Sequence, residues 1–421
     1  MTTETTSPDA REFDGAIHDQ ADARAGANRA GERVFRIDLT YTRGTAASQT
    51  TLILTPAAAA ALRDALDACL PEPEGIDDDR GLYGADAYDL RRFAEAYAGL
   101  GEAPQVVGVG PVERLCPWRF GWAAAVASRA LTGYGFRSAA LPLVSPEGMA
   151  ERWPTELLAE HLVRGAVEGG YRFESLRAER GPGAPTEWVL LSDSAPSDAI
   201  RRAAQAGATV GAVLNEVSDL ANLPGNIATP VMIAETAQRL ARASGLACRI
   251  YDEAALRRAR CTALLAVAAG SRQPPRLVVL RYQGTRRTAR PILLIGKTLT
   301  FDSGGISLKP PANMEWMRYD KGGGMAVLAA VLAAARLRLP QPVVAMLAAA
   351  ENMPGGGAMR PGDILRTRAG KTVEIITTDA EGRLVLADAL SLAAESRPAC
   401  IVDVATLTGA ARIALGVHAS A

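Results

Sequence analysis

The chain has 421 residues, 48% apolar and 22% charged, which is the balance of a globular protein long enough for two or three domains. Lysine plus arginine equals aspartate plus glutamate at 46 each, so net charge gives no ground for a nucleic-acid or membrane partner. Three histidines without a His-Glu-x-x-His pair exclude the zinc chemistry that needs one, and five scattered cysteines exclude a disulfide framework and read as buried thiols in a reducing, cytoplasmic compartment.

Residues 1–31 are rich in Thr, Ala, Asp and Gly and read as a disordered tail without a targeting signal. Residues 32–192 alternate strand-like stretches (34–41, 50–54, 105–108, 138–143, 187–191) with helical ones (56–70, 122–131, 147–170). They predict a small N-terminal α/β domain. A polar stretch and a long helical pattern make 193–221 a linker helix. From residue 222 to 421 strands and helices alternate as βα units, which predicts a mostly parallel, helix-covered sheet. The apolar run 340–350 is too short to span a membrane and fits a buried strand.

The chemistry concentrates in two stretches. The first begins with a buried strand at 291–295 and carries Lys297, Asp302 and Lys309. Beyond it, Met317-Arg318-Tyr319-Asp320 precedes three glycines and an Ala-rich helix at 325–337. The second, Thr377-Thr378-Asp379-Ala380-Glu381-Gly382-Arg383-Leu384, lies between a strand at 371–377 and a helix at 383–395. Period-two spacing points Asp379 and Glu381 the same way at the C-terminal end of a strand, where open α/β sheets place their ligands. Converging carboxylates repel unless a cation lies between them. Asp302, Asp320, Asp379 and Glu381 together suffice to hold two divalent cations.

Plainer readings compete. A lone Asp-x-Glu usually faces solvent or caps a helix. Gly296-Lys297-Thr298 fails as a phosphate loop, because the glycine such a loop needs five positions earlier is Pro291. Ser303 lacks a Gly-x-Ser-x-Gly elbow.

The strings GKTLTFDSGGISLKP (296–310) and TTDAEGRL (377–384) resemble the two signature segments of the cytosolic leucyl aminopeptidases, a family of two-metal exopeptidases. Asn222-Leu223-Pro224-Gly225-Asn226 and the stretches 270–284 and 351–363 are similar too. The resemblance covers roughly residues 200–420. It implies that Asp302 and Glu381 bridge two metals, that Lys297 and Asp320 complete the tighter site, and that Asp379 completes the exchangeable one. Lysine ligates only as a neutral amine, so Lys297 would need a strongly depressed pKa, which burial beside two cations supplies. Lys309 would polarise the scissile carbonyl and Arg383 would hold a bicarbonate that shuttles a proton.

Met317, Thr406 and Gly409 match positions lining an apolar pocket for N-terminal Leu or Met. Zinc, manganese and cobalt all suit such a donor set. The resemblance implies peptide substrates with a free N-terminus and a homo-hexamer. Thr298 and Thr377 depart from the family pattern without removing a ligand. The family continues for several tens of residues where this sequence stops, which implies a C-terminally short catalytic domain. The alternative is a non-catalytic relative that keeps the fold and binds peptide, nucleic acid or partner subunits.

Overall fold

The chain divides between Ala212 and Val213 into two units. The computed structural model describes residues 22–27, 33–43 and 46–54 as backbone, and 115–132, 138–143, 151–181, 183–191 and 196–416 in full. In the first unit, β1 (Asp22–Ala27), β2 (Arg33–Arg43) and β3 (Ala46–Leu54) form an antiparallel sheet in that order. β1 lies within the stretch whose composition reads as a tail. The expected helix at 56–70 and strand at 105–108 lie outside the described residues.

α1 (Pro117–Leu131) starts earlier than its periodicity predicts, because Pro117 occupies the first turn, where a missing N–H costs nothing. α2 (Thr155–Gly169) starts later than expected, because Pro154 holds an extended entry at φ −59° and ψ 140°. The two helices pack through Ala124, Leu158, Ala159 and Leu162. β4 (Ser138–Pro142) and β5 (Glu187–Leu191) pair in parallel. α3 (Asp198–Asn222) spans the division between the units.

The second unit continues with α4 (Pro230–Ala243), β6 (Ala247–Tyr251), α5 (Glu253–Arg258), α6 (Thr262–Ala268), β7 (Arg276–Tyr282) and β8 (Ile292–Asp302). A 3₁₀ turn (Met314–Tyr319) leads into α7 (Gly322–Arg336), followed by β9 (Val343–Asn352), β10 (Ile364–Arg366), β11 (Thr372–Glu374), α8 (Glu381–Ala394), β12 (Cys400–Val404) and α9 (Ala410–Leu415). Five strands form one sheet in the order β12-β8-β9-β7-β6. β12, β8 and β9 run parallel, and β7 opposes both β9 and β6, so the sheet is mostly parallel, as expected.

Both faces of this sheet are covered, which is why β7, β8 and β9 read as nearly continuous apolar runs. Val278 and Leu280 face a core with α4, α7 and the end of α3. Leu277 and Val279, one residue out of phase, face a second core with α5, α6 and α8.

Two local features set the site. β8 runs well past the expected 291–295 and carries Lys297 and Asp302 within the sheet. Its register against β9 shifts between Leu299 and Phe301, and the extra residue brings Asp302 opposite Asn352. Meanwhile α7 starts on its glycines: a Cβ on Gly296 of β8 would lie 2.4 Å from the Cα of Gly324. Only glycine lets the first turn of α7 rest against the strand this closely.

The strand expected at 371–377 is a correction. β11 covers only Thr372–Glu374 and pairs with β10 in a separate two-stranded sheet. Its β-branched alternation marks extended backbone, but Ile375 bonds back to Gly362 and Asp363 instead of joining the central sheet. Asp379 therefore does not end a sheet strand. It precedes α8, which begins at Glu381, two residues earlier than expected.

Candidate metal centre

Two ammonium groups hold the centre together. Lys297, 2% exposed on β8, places Nζ 2.8 Å from Asp320 Oδ2, 2.8 Å from Glu381 Oε1 and 3.0 Å from the Thr406 carbonyl. Lys309 Nζ lies 2.8 Å from Asp302 Oδ2 and also pairs with Asp379 Oδ1. Carboxylate oxygens of Asp302, Asp379 and Glu381 all lie within 4.8 Å of one another. The expected convergence is thus present, but the elements that produce it are the end of β8 and the start of α8.

Each element has a physical reason to be there. Gly304 and Gly305 follow Asp302 with φ of +86° and +69°, a left-handed turn that few other residues adopt. The turn folds the chain back so that Lys309 N donates to Ser303 O. Thr378 is buried and joins this turn to the second stretch: its hydroxyl donates to Gly304 O at 2.6 Å, and its N–H donates to Ser307 Oγ at 3.1 Å. Glu381 sits in the first turn of α8, where the helix dipole favours a carboxylate.

The electrostatics are those of a dry, crowded site. Burial alone lowers the Lys297 pKa, but Asp320 and Glu381 outweigh it and the net direction is upward. With only protein groups around it, Lys297 is an ammonium. Two buried carboxylates facing one amine raise its pKa; the depressed value that ligation requires belongs to the amine beside two cations. Burial pushes the Asp320 carboxyl up to about 7 against the opposing pull of Lys297 and a hydrogen bond from Thr406. For Lys309 burial again works downward, and Asp302 and Asp379 raise it on balance.

Glu381 Oε2 is buried and has no hydrogen-bond partner among the described residues. Asp320 Oδ2 faces Lys297 at ion-pair distance but outside hydrogen-bond angles. An orphaned carboxylate oxygen beside two other carboxylates is what a cation would satisfy. The donors present fit divalent ions: carboxylates from Asp302, Asp320, Asp379 and Glu381, with the amine of Lys297.

The remaining expected residues are placed as follows. Arg383 is exposed in the first turn of α8. Met317, half-buried in the 3₁₀ turn, accepts the Asp320 N–H on its carbonyl. Thr406 follows β12 and donates its hydroxyl to Asp320 Oδ1 at 2.7 Å. Gly409 lies further along the same loop, exposed, with open space around its Cα.

Three participants escape the sequence reading. Lys321 is completely buried and donates to Leu223 O at 2.9 Å and to Arg318 O. A glycine-flanked lysine is by default a surface charge, so nothing in the pattern singles it out. Asn352 closes β9 against Asp302. Asp388, buried in α8, accepts from the N–H groups of Ala263, Leu264 and Arg368, and so secures α8 against α6. Its place on the apolar stripe of α8 was the available signal.

Residues 215–421 match the model of the cytosol aminopeptidase family, catalytic domain. A probable cytosol aminopeptidase of Geobacter sulfurreducens is 42% identical over 74% of this chain and 62% of its own length. That of Azotobacter vinelandii is 44% identical over 75% of this chain and 64% of its own. The solved structure of the bottromycin maturation enzyme BotP in complex with Mn aligns with a TM-score of 0.65 and 39% identity, over 74% of this chain and 65% of that one. The chain thus spans about three fifths of the length of these curated relatives. No described helix is long and apolar enough to cross a membrane. The matched segment contains every residue of the carboxylate–lysine cluster, and this segment belongs to the cytosol aminopeptidase family as its catalytic domain.

Proposed function

We propose that this protein is a metal-dependent aminopeptidase that removes apolar N-terminal residues, leucine above all, from peptides. The observation that carries the reading is the cluster of Asp302, Asp379 and Glu381, together with a buried Glu381 oxygen that has no hydrogen-bond partner among the described residues. Lys297, Asp302, Asp320, Asp379 and Glu381 would hold two divalent ions, zinc or manganese. Such a pair supplies an activated water and a positive clamp on the scissile carbonyl. The family descriptions and the Mn complex of the structural relative support a metal-dependent hydrolase.

The chain's own groups divide the remaining work. Lys309 keeps its proton, since its pKa is raised, and so can donate to the oxygen that gains charge as the carbonyl is attacked. Arg383, exposed beside Glu381, offers a guanidinium for a small anion such as bicarbonate, which would pass the proton on. Asp320 is fixed by Thr406 and by the Met317 carbonyl, so the residues expected to line the side-chain pocket also orient a ligand. An apolar pocket separates neighbouring aliphatic side chains by only about 1–3 kcal/mol per methylene, so a graded preference for leucine is expected. Assembly into a homo-oligomer, a hexamer by resemblance, belongs to the same proposal.

The test is hydrolysis of leucine amide after dialysis against a chelator and re-addition of Zn²⁺ or Mn²⁺, with aspartate and glycine amides for comparison. Metal-dependent release of leucine, faster than of the other two, is the expected result. A folded protein that binds metal and turns over none of these amides would overturn it. The alternative of a non-catalytic relative finds no support in the family descriptions.

A further inference from the structure

Asn352 lies outside the ligand set, yet it touches both stretches that supply it. It is the last residue of β9, directly opposite Asp302, the last of β8, and is 2% exposed. The opposition depends on the register shift after Leu299, which adds one residue to β8. Its side-chain nitrogen donates to Asp302 Oδ1 at 2.8 Å and to the Thr378 carbonyl at 3.1 Å. Both partners only accept, so the amide has one orientation that fits, and both of its hydrogens are used. Its oxygen points toward Gly305, where a Cβ would lie 2.9 Å away.

The consequence for Asp302 is geometric. Oδ1 accepts from Asn352 and, at 2.9 Å, from Gly304 N. That oxygen is committed to the protein, so Oδ2 is the one turned toward Lys309. The main-chain oxygen of Asn352 accepts from Ser303 N at 3.0 Å and Ser303 Oγ at 2.8 Å, which ties the next residue of the same turn to β9. On its other side the Thr378 carbonyl belongs to the peptide that leads into Asp379. One amide thus sets the rotation of one proposed ligand and the backbone approach to another.

We infer that Asn352 is a positioning residue of the proposed metal centre, holding the Asp302 carboxylate and the Thr378–Asp379 peptide in a single arrangement. The inference rests on the metal-centre reading above. Groups that orient metal ligands typically matter by about ten- to a hundredfold in affinity.

The experiment is a Mn²⁺ titration of the chelated full chain, followed by manganese EPR, for the wild type, Asn352→Ala and Asn352→Leu. Thermal melts of the metal-free proteins accompany it. Leucine has nearly the shape of asparagine and no donor, so it separates packing from hydrogen bonding. Both variants are expected to unfold cooperatively and to bind Mn²⁺ about ten- to a hundredfold more weakly than the wild type. Wild-type affinity in both, or in Asn352→Leu alone, would overturn the inference. Failure of both to fold would overturn it too, because the amide would then be holding the fold and not the ligand. A wild type that binds no Mn²⁺ would instead refute the metal-centre reading itself, and this inference with it.

Discussion

Lys297 Nζ and Glu381 Oε1 lie 2.8 Å apart, with both side chains at most 3% exposed. One comes from the middle of a sheet strand and the other from the first turn of a helix far along the chain. Taking both charges out of water costs several kcal/mol per ion, so the pair is weak evidence for stability and stronger evidence for a site.

Removing Glu381 leaves Lys297 with the Asp320 carboxylate and the Thr406 carbonyl, and removes the oxygen that lacks a partner. Glu381→Ala is expected to lose at least one metal ion per chain and to lower leucine amide hydrolysis by about a thousandfold. The metal-free protein should lose about 3 kcal/mol of stability. Metal analysis of the dialysed protein, with the amide assay, checks this; two ions retained at full activity would rule out a bridging role.

The metal-free protein should become less stable as pH rises toward neutrality. Burial holds the Asp320 carboxyl up to about 7, so the folded state keeps a proton that the unfolded chain gives up near pH 4. Between those values the native state binds more protons, and stability falls as pH rises through the window. Asp388, also raised by burial, acts with the same sign. The contribution of Lys297, raised above its usual value, is constant there and is lost only at alkaline pH. Melting curves of chelated protein should show a lower midpoint at about pH 7.5 than at about pH 5.5. The opposite order would mean that Asp320 is ionised throughout.

Lys321 is buried without a carboxylate partner among the described residues and serves two carbonyls, one just past α3 and one in the 3₁₀ turn. Lys321→Ala should cost about 3 kcal/mol, since it opens a cavity and strands both carbonyls. Lys321→Met refills the volume and should cost about half as much. Urea unfolding of the two variants measures the difference. Equal losses would show that the hydrogen bonds dominate and the stem does not matter.

Gly296→Ala should be severely destabilising, by about 3 kcal/mol, because its methyl group would meet the Gly324 backbone at 2.4 Å. Gly356→Ala would place its methyl group with nothing within 4 Å among the described residues and should change stability by less than about 0.5 kcal/mol. A tolerated Gly296→Ala would mean that α7 can move away from β8.

Much of this molecule was readable in its residues. Apolar runs bounded by turns marked β8 and β9, and the Ala- and Leu-rich stretches marked α7 and α8, because burial on both faces leaves a composition that survives without coordinates. Lys297, Asp302, Asp320, Asp379 and Glu381 were nominated by their residue types in two recognisable segments. What the residues could not express was pairing. The β-branched run before Asp379 looks like a strand of the main sheet, yet it pairs with β10, because register is decided by partners distant in the chain.

Long-range contact also made Lys321, Asn352 and Asp388 visible. Each is a polar side chain whose role follows from what surrounds it after folding. The surroundings of Lys297 follow the same rule: the two carboxylates that raise its pKa arrive from the end of the 3₁₀ turn and from α8. The sequence by itself determined which chemical groups are available and that the sheet is covered on both faces. Tertiary structure alone decided which charges meet and which oxygen is left without a partner, because Coulomb and hydrogen-bond energies depend on separations of a few ångströms that only packing sets.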